Sequence, residues 1–244
     1  MTDQIKAELL KIRSTRTTIG LLLGMVVLIL LFVVLTGLLS SVSGLAGRNN
    51  ERQLFAIGSL SGIFAALAGI MLVTSEYRYG TIRPTILFTP RRSRVLGAKM
   101  VAAALGGIAF GLVGDALGWG VTWLILASRG VSIVLNGRDF ALLVAGSLGG
   151  GALWGTLGAG LGTILRNQVA GVITLLAWGF VVDSLLFGLV PSVGRLMPNY
   201  AQDALLGLKT AHLVAPAAGA LLLVGWAALL AALGIALTAK RDVS

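Results

Sequence analysis

The stretch TSEYRYGTIRPTILFTPRRSRVLGAK, residues 74–99, decides how this chain is organised. It is polar, carries six lysines and arginines and two prolines, and lies between two long apolar segments. A segment with so many charges cannot cross the hydrocarbon core of a bilayer, so we expect it on one side of a membrane. Because basic loops stay in the cytoplasm, residues 75–99 are predicted to be cytoplasmic and available to a cytoplasmic partner.

The composition agrees with a membrane protein. Of 244 residues, 57% are hydrophobic and 11% are charged, and the mean hydropathy is +0.95. Soluble domains carry about 25% charged residues. The net charge of +10 arises from cations that flank apolar stretches, which indicates membrane orientation rather than nucleic-acid binding. With no cysteine and a single histidine, His212, the chain is not expected to hold a metal or a catalytic triad.

Apolar stretches long enough to cross a bilayer, which takes about 20 residues each, occur six times. The predicted spans are 17–39, 54–74, 100–126, 140–165, 169–190 and 214–238. The fold class is therefore predicted to be all-α, a polytopic membrane protein with a six-helix transmembrane domain over 17–244.

The distribution of positive charge predicts the orientation. Thirteen of the 19 lysines and arginines lie on the side of residues 75–99, and six lie on the other side. We therefore expect a multi-pass protein of the plasma (inner) membrane with both termini in the cytoplasm.

Two segments outside the spans have helical character. In residues 1–16, Ile5, Leu9 and Ile12 recur at helical spacing, which predicts an interfacial amphipathic helix. Residues 191–213 are too polar to cross a membrane and too apolar for a free loop, so they are predicted to form a short helical segment on the outer side.

The fourth predicted span carries a continuous stripe of small residues: Ser147, Gly151, Gly155, Ala159 and Thr163. Small residues four apart let helix backbones approach closely in lipid. The stripe is predicted to face another helix, in the same chain or across a dimer.

Two carboxylates fall within spans, Asp115 in the third and Asp183 near the outer end of the fifth. Acids within membranes are costly, so both are candidate pathway residues. Asp115 is expected to face the bundle and to accept a hydrogen bond from a serine, threonine or tryptophan. A purely structural role is the alternative for Asp115. Asp183 is expected to reach water or Arg195.

The sequence contains no nucleotide-binding loop of the G-x-x-x-x-G-K-[ST] type and no dinucleotide fingerprint. It also lacks G-x-S-x-G and H-E-x-x-H, the motifs of serine and zinc hydrolases. We therefore predict a chain that is not an enzyme and holds no cofactor or metal of its own.

Several motifs resemble permease subunits of ATP-binding-cassette exporters, in the drug-, lipid- and polysaccharide-export class with six spans per subunit. The likeness rests on EYRYGTIRPT at 76–85, TPRR at 89–92, AK at 98–99 and ELLKIRSTR at 8–16. The resemblance implies that residues 1–16 form a connecting helix and that residues 81–87 form a cytoplasmic coupling helix between spans two and three. Glu76 is expected to cap this coupling helix or to pair with an arginine such as Arg83.

The resemblance also implies the partners: two ATPase subunits that bind ATP and magnesium, a second permease copy or homologue, membrane lipids, and no nucleic acid. The substrate would be hydrophobic or amphiphilic, such as a drug, antibiotic, lipid or glycan. Roles in contact with the ATPase are implied for Glu76, Arg78, Gly80, Thr81, Ile82, Arg83, Pro84, Arg91, Arg92 and Arg166.

Two other functions remain open from the sequence. An ion-coupled secondary transporter or channel would use Asp115 and Asp183 and would need no ATPase. A membrane anchor for an assembly would have neither a cavity nor substrate-dependent activity. Copurification of an ATPase with the chain would favour the exporter interpretation over both of these alternatives.

Overall fold

A computed structural model describes residues 2–81 and 92–240 of the chain. Within these residues the structure is helical and contains no strand. The helices are α1 (Thr2–Ser14), α2 (Arg16–Leu39), α3 (Val42–Leu45), α4 (Arg48–Ala56), α5 (Ser61–Arg78), α6 (Arg92–Ser128), α7 (Gly137–Leu165), α8 (Gln168–Leu176), α9 (Asp183–Leu189), α10 (Pro191–Gly194), α11 (Pro198–Leu205) and α12 (Pro216–Lys240). A 3₁₀ turn, Ile57–Leu60, joins α4 to α5, and a π-helical turn, Ala177–Val182, joins α8 to α9.

Six helical segments of the described chain are long and apolar enough to cross a membrane, as predicted. In chain order these spans are α2, α4 with α5, α6, α7, α8 with α9, and α12. The second begins at Arg48 and the third at Arg92, both earlier than the sequence predicted. Hydropathy locates the apolar part of a helix, whereas the hydrogen-bonded helix continues into its polar ends.

The predicted coupling helix, 81–87, lies outside the described residues except for Thr81. Ile82, Arg83, Pro84 and Arg91 lie outside them as well. Gly80 adopts a positive φ of 70°, directly after Tyr79, which caps the C-terminus of α5. A left-handed glycine at this position is a common helix stop, so the second span ends where the polar stretch begins.

The fourth span, α7, is the centre of the bundle. Its Gly151 faces Gly107 of the third span so closely that a Cβ on Gly151 would lie 2.5 Å from the Gly107 carbonyl oxygen. A Cβ on Gly158 would lie 2.0 Å from the carbonyl oxygen of Ala66 in the second span. The small-residue stripe therefore packs against helices of the same chain, which answers the question that the sequence left open.

Burial separates the six spans into two groups. The second, third and fourth are 44–56% buried, whereas the first, fifth and sixth are only 11–17% buried. The first and fifth spans thus present mostly apolar side chains outward, among them Leu23, Val27, Ile173 and Phe180. Three tightly packed helices form a centre, and three peripheral helices have free apolar faces.

The predicted outer segment, 191–213, contains two short helices, α10 and α11, rather than one. The amide of Gln202 in α11 donates through Nε2 to the carbonyl oxygen of Gly146 at 3.0 Å. The indole of Trp226 in the sixth span donates to the carbonyl oxygen of Leu196 at 2.9 Å. These bonds attach the segment to the fourth and sixth spans.

We expect Gly158→Ala to destabilise the protein, because the new methyl group would overlap the Ala66 carbonyl and force the second and fourth spans apart. Overpacking of this kind costs about 1–3 kcal/mol. Gly149 is the matched control on the same helix, since nothing lies within 4 Å of a Cβ there. Thermal unfolding of the purified protein should show a lower midpoint for Gly158→Ala and no decrease for Gly149→Ala. Equal midpoints for the two variants would contradict the packing described here.

Candidate functional site

Four charged side chains meet where α1 touches the ends of the second and third spans. We call Glu8, Lys11, Glu76 and Lys99 the α1 cluster. Lys99 Nζ lies 2.9 Å from Glu8 Oε2 and 2.8 Å from Glu76 Oε1. Lys11 Nζ lies 3.0 Å from Glu8 Oε1 and 2.7 Å from Glu76 Oε1. Two ammonium groups and two carboxylates alternate, so the cluster is electrically balanced.

The position of this cluster in the chain gives it a mechanical meaning. Glu76 lies near the end of α5 and Lys99 lies in the first turns of α6, so their ion pair joins the two helices that flank residues 79–91 in the sequence. Glu8 and Lys11 bring α1 to the same point. The α1 cluster therefore holds α1, the second span and the third span together at one point.

The expectation that Glu76 pairs with an arginine such as Arg83 stays a prediction, and within the described residues its partners are lysines. Its Oε1 atom accepts hydrogen bonds from Lys11 and Lys99, and Arg83 lies outside the described residues. The sequence analysis missed Glu8, Lys11 and Lys99 as partners. The sequence does contain a pattern that indicates this cluster. Glu8 and Lys11 lie three residues apart on an amphipathic helix, and Lys99 lies at the start of an apolar run.

Because the α1 cluster is largely buried, loss of any one of its charges is expected to lower the stability of the protein. Lys99 is 0% exposed, and Glu8 and Glu76 are nearly as buried. Removing one partner from a buried ion pair costs about 3–5 kcal/mol, because the remaining charge is left uncompensated. Lys11 is half exposed, and its partial burial lowers the pKa of its ammonium group. The hydrogen bond to Glu76 and the charges of Glu8 and Glu76 act in the opposite direction and raise this pKa above its ordinary value. Lys11 is therefore charged at neutral pH.

A second set of contacts joins the end of α5 to the link between the fourth and fifth spans. The Arg166 guanidinium lies over the Tyr77 ring, 5.4 Å from its centroid. Arg78 Nη1 donates to Gln168 Oε1 at 3.3 Å. Arg166 has a positive φ of 52° and caps the C-terminus of α7. The structure thus places Arg78 and Arg166 on adjacent elements at the same end of the bundle as the α1 cluster.

Asp115 lies at the interface of the third and fourth spans and does face the bundle, as expected. Its Oδ1 atom accepts a hydrogen bond from the Ser147 hydroxyl at 2.9 Å. A Cβ on Gly58 would lie 2.8 Å from the same Oδ1 atom, so the second span also packs closely here. These contacts make Asp115 part of a three-helix junction.

Asp183 is fully buried, and the expectation that it reaches water or Arg195 is wrong. Arg195 instead donates to the carbonyl oxygen of Ser192. Asp183 Oδ2 accepts from the backbone N–H of Asn199 at 3.1 Å, near the start of α11. The Asn199 side chain donates to the carbonyl oxygen of Gly179, in the π-helical turn, at 2.6 Å. Asp183 and the π turn therefore hold α11 in place, a structural task that sequence analysis could not reveal.

The end of the bundle remote from the α1 cluster has its own buried ion pairs, which sequence analysis missed. Asp139, at the start of the fourth span, pairs with Arg48 at 2.8 Å and with Arg52. Asp139 and Asn136 form a reciprocal capping box, a pattern that N-x-x-D before an apolar run could have indicated. Arg52 also donates to the carbonyl oxygen of Gly207 in the outer segment. Ion pairs between different helices are thus present at each end of the bundle.

Comparison with known proteins adds no relative. No model of a known protein family matches the chain, and no curated protein matches its sequence. The function is therefore inferred from the contacts described above and from the motifs of residues 8–16 and 76–99.

We expect Asp115→Asn to leave the thermal midpoint near that of the wild type, because an amide oxygen still accepts the Ser147 hydrogen bond. Asp115→Leu should lower the midpoint, since Ser147 loses its acceptor inside the bundle. Thermal unfolding of the two purified variants checks this. A midpoint for Asp115→Asn as low as that for Asp115→Leu would contradict this structural role.

Proposed function

We propose that this chain is the permease subunit of an ATP-binding-cassette exporter that moves a hydrophobic or amphiphilic substrate. ATP hydrolysis would take place in two separate ATPase subunits, which hold the ATP and magnesium, and the permease itself would not be an enzyme. Two permease copies, or one copy and a homologue, would form the pathway. The proposal rests on the motif resemblance and on the geometry of the α1 cluster.

The observation that carries the proposal is the ion pair of Glu76 and Lys99, 2.8 Å apart, which joins the two helices leading into the polar stretch, with α1 held at the same point. A transport subunit driven from outside needs a contact element whose displacement reaches the membrane helices. A polar stretch whose two flanking helices are joined by a buried ion cluster meets this requirement, because both helices belong to membrane spans. A stretch that served only to orient the chain would not need this joint.

In this proposal α1 is the connecting helix, and the polar stretch contains the coupling helix over 81–87. Movement of the ATPases on ATP binding would displace the coupling helix and bias the permease between inward-facing and outward-facing states. Arg78 and Arg166, next to the α1 cluster, would supply further contacts with ATPase carboxylates or with anionic lipid.

The two sides of the membrane follow from the charge count. The α1 cluster and the polar stretch belong to the side with thirteen of the 19 lysines and arginines, so we place this side and both termini in the cytoplasm of a cell with the chain in its plasma (inner) membrane. The weakly buried first and fifth spans leave apolar faces for lipid or for the second permease copy.

Glu76→Gln tests the proposal. The substitution keeps the shape of the side chain but removes the negative charge between Lys11 and Lys99, so the α1 cluster should loosen. We expect an ATPase with a Walker motif to copurify with the tagged wild-type chain from its native membrane. We also expect Glu76→Gln to keep this partner but to reduce the permease-dependent rate of ATP hydrolysis by roughly fivefold or more, the scale of typical coupling energies.

Asp3→Asn is the matched control, because it removes one exposed carboxylate from the same helix, α1. Correct insertion is checked in this cysteine-free chain by cysteines at Ser93, in the first turn of α6, and at Ser132, just beyond its C-terminal end, which should label from opposite sides. Absence of a copurifying ATPase would overturn the proposal. Wild-type coupling in a correctly inserted Glu76→Gln protein would overturn the role of the α1 cluster.

A further inference from the structure

An open cleft with a volume of about 310 Å³ lies between the first span, the start of the second span and the outer segment. It is on the side of the bundle remote from the α1 cluster. Its walls are largely apolar, and one carboxylate lines it. The side chains that matter here are Phe32, Thr36, Ile57, Leu60, Asp203 and Leu208.

Asp203 differs from the buried acids of the described chain, since it is partly buried and lines the open cleft. Glu8, Glu51, Glu76, Asp115, Asp139 and Asp183 each accept a hydrogen bond from a side chain or a backbone N–H. The Asp203 carboxylate has no hydrogen bond and no ion pair within the described residues, and the residue is only partly buried. Burial raises the pKa of Asp203 to about 6. At neutral pH it is therefore mostly a charged group that lacks a counter-ion.

The position of Asp203 is fixed by its neighbours. Gln202, the preceding residue, is inserted between spans by its bond to the carbonyl oxygen of Gly146. Asn199, one turn earlier, is held by Asp183 and by the carbonyl oxygen of Gly179. Successive residues of a helix point about 100° apart, so a helix fixed through Gln202 turns Asp203 away from the fourth span and toward the cleft. The carboxylate is thus held in place before any ligand arrives.

The nearby cations do not neutralise Asp203. Arg48 and Arg52 pair with Asp139. They line a separate, smaller cleft together with Asn49 and Lys209. The charge facing the apolar cleft is therefore negative.

This arrangement selects one class of ligand. A carboxylate in an apolar site is strongly stabilised by a cation that carries its own apolar surface, because such a cation loses little hydration on entry. The ring of Phe32 can add a cation–π contact. A bare divalent metal would need several oxygen ligands, and no group of three acidic or histidine residues occurs in the described chain.

We propose that this cleft binds a hydrophobic organic cation, whose charged centre pairs with Asp203 while its apolar part packs against Phe32, Ile57, Leu60 and Leu208. If the transport function proposed above holds, cationic amphiphiles are a substrate class of the exporter, and the cleft is a site where it binds them. The binding itself does not require the ATPase.

Radiolabelled tetraphenylphosphonium is a suitable probe, measured by equilibrium binding to the purified full chain in nanodiscs without ATPase. We expect saturable binding to the wild type, and a loss of affinity of roughly tenfold or more in Asp203→Asn, equivalent to about 1.4 kcal/mol. Asp203→Glu should restore binding in part. Asp3→Asn, which removes an exposed carboxylate elsewhere, should bind as the wild type does. Tetraphenylborate, which has a similar shape and the opposite charge, should not compete.

Phe32→Ala keeps the proposal testable if the Asp203 variants fold poorly, because it alters the opposite wall of the cleft and should also weaken binding of the probe. The proposal is overturned if the wild type shows no saturable binding, if Asp203→Asn binds as tightly as the wild type, or if tetraphenylborate competes equally. Absent binding alongside ATP-driven transport would contradict only this inference. Binding to a chain that recruits no ATPase would contradict only the proposed exporter function.

Discussion

The buried contact between Lys99 and the carboxylates of Glu8 and Glu76 is the interaction on which the rest of this structure depends. A lysine ammonium removed from water is tolerated only where carboxylates compensate it, and here they come from two different elements. One side chain of the third span therefore determines the position of α1 and of the second span. Because Glu76 and Lys99 lie near the two ends of the polar stretch in the sequence, the same contact joins the second and third spans where they lead into it.

The other central helices are packed so closely that a displacement at the α1 cluster would be passed from one helix to the next. Glycines of the fourth span bring its backbone against the second and third spans, where no flexible side chain can absorb a movement. At the remote end, the Asp139 ion pairs attach the fourth span to the start of the second and, through Arg52, to the outer segment. Ion pairs thus join the second span to the third at one end and to the fourth at the other, whereas the first and fifth spans bury a smaller share of their residues.

Much of this architecture could be predicted from the sequence, because the bilayer imposes strong rules. Span number follows from hydropathy, and the small-residue stripe of the fourth span indicated a helix interface correctly. Asp115 was expected to face the bundle, and Ser147 is a partner of the expected kind. The first residues of the helices were less predictable. The second and third spans begin with polar residues, so these helices start well before the apolar segments that hydropathy locates.

The pairing of charges was the least predictable feature. Lys99 was taken for one more cation of a basic loop, and Asp183 was expected to reach Arg195, because distance along the chain says little about which buried groups meet. The π turn that lets Asn199 bond to Gly179 leaves no mark in hydropathy. Asp203 is not singled out by the sequence either, since an acid in such a segment is ordinary until the structure shows that it lines an apolar cleft without an ion-pair partner among the described residues.

Hydrogen–deuterium exchange of the α1 amides tests the central claim, that Lys99 holds α1 to the bundle. It would be compared in the wild type, in Lys99→Gln, and in Lys6→Gln, which changes an exposed lysine of the same helix. Loss of a buried partner worth about 3–5 kcal/mol should accelerate exchange over residues 2–14 in Lys99→Gln, while the amides of α7 stay protected and Lys6→Gln matches the wild type. Unchanged protection of α1 in Lys99→Gln, with α7 intact, would contradict the claim.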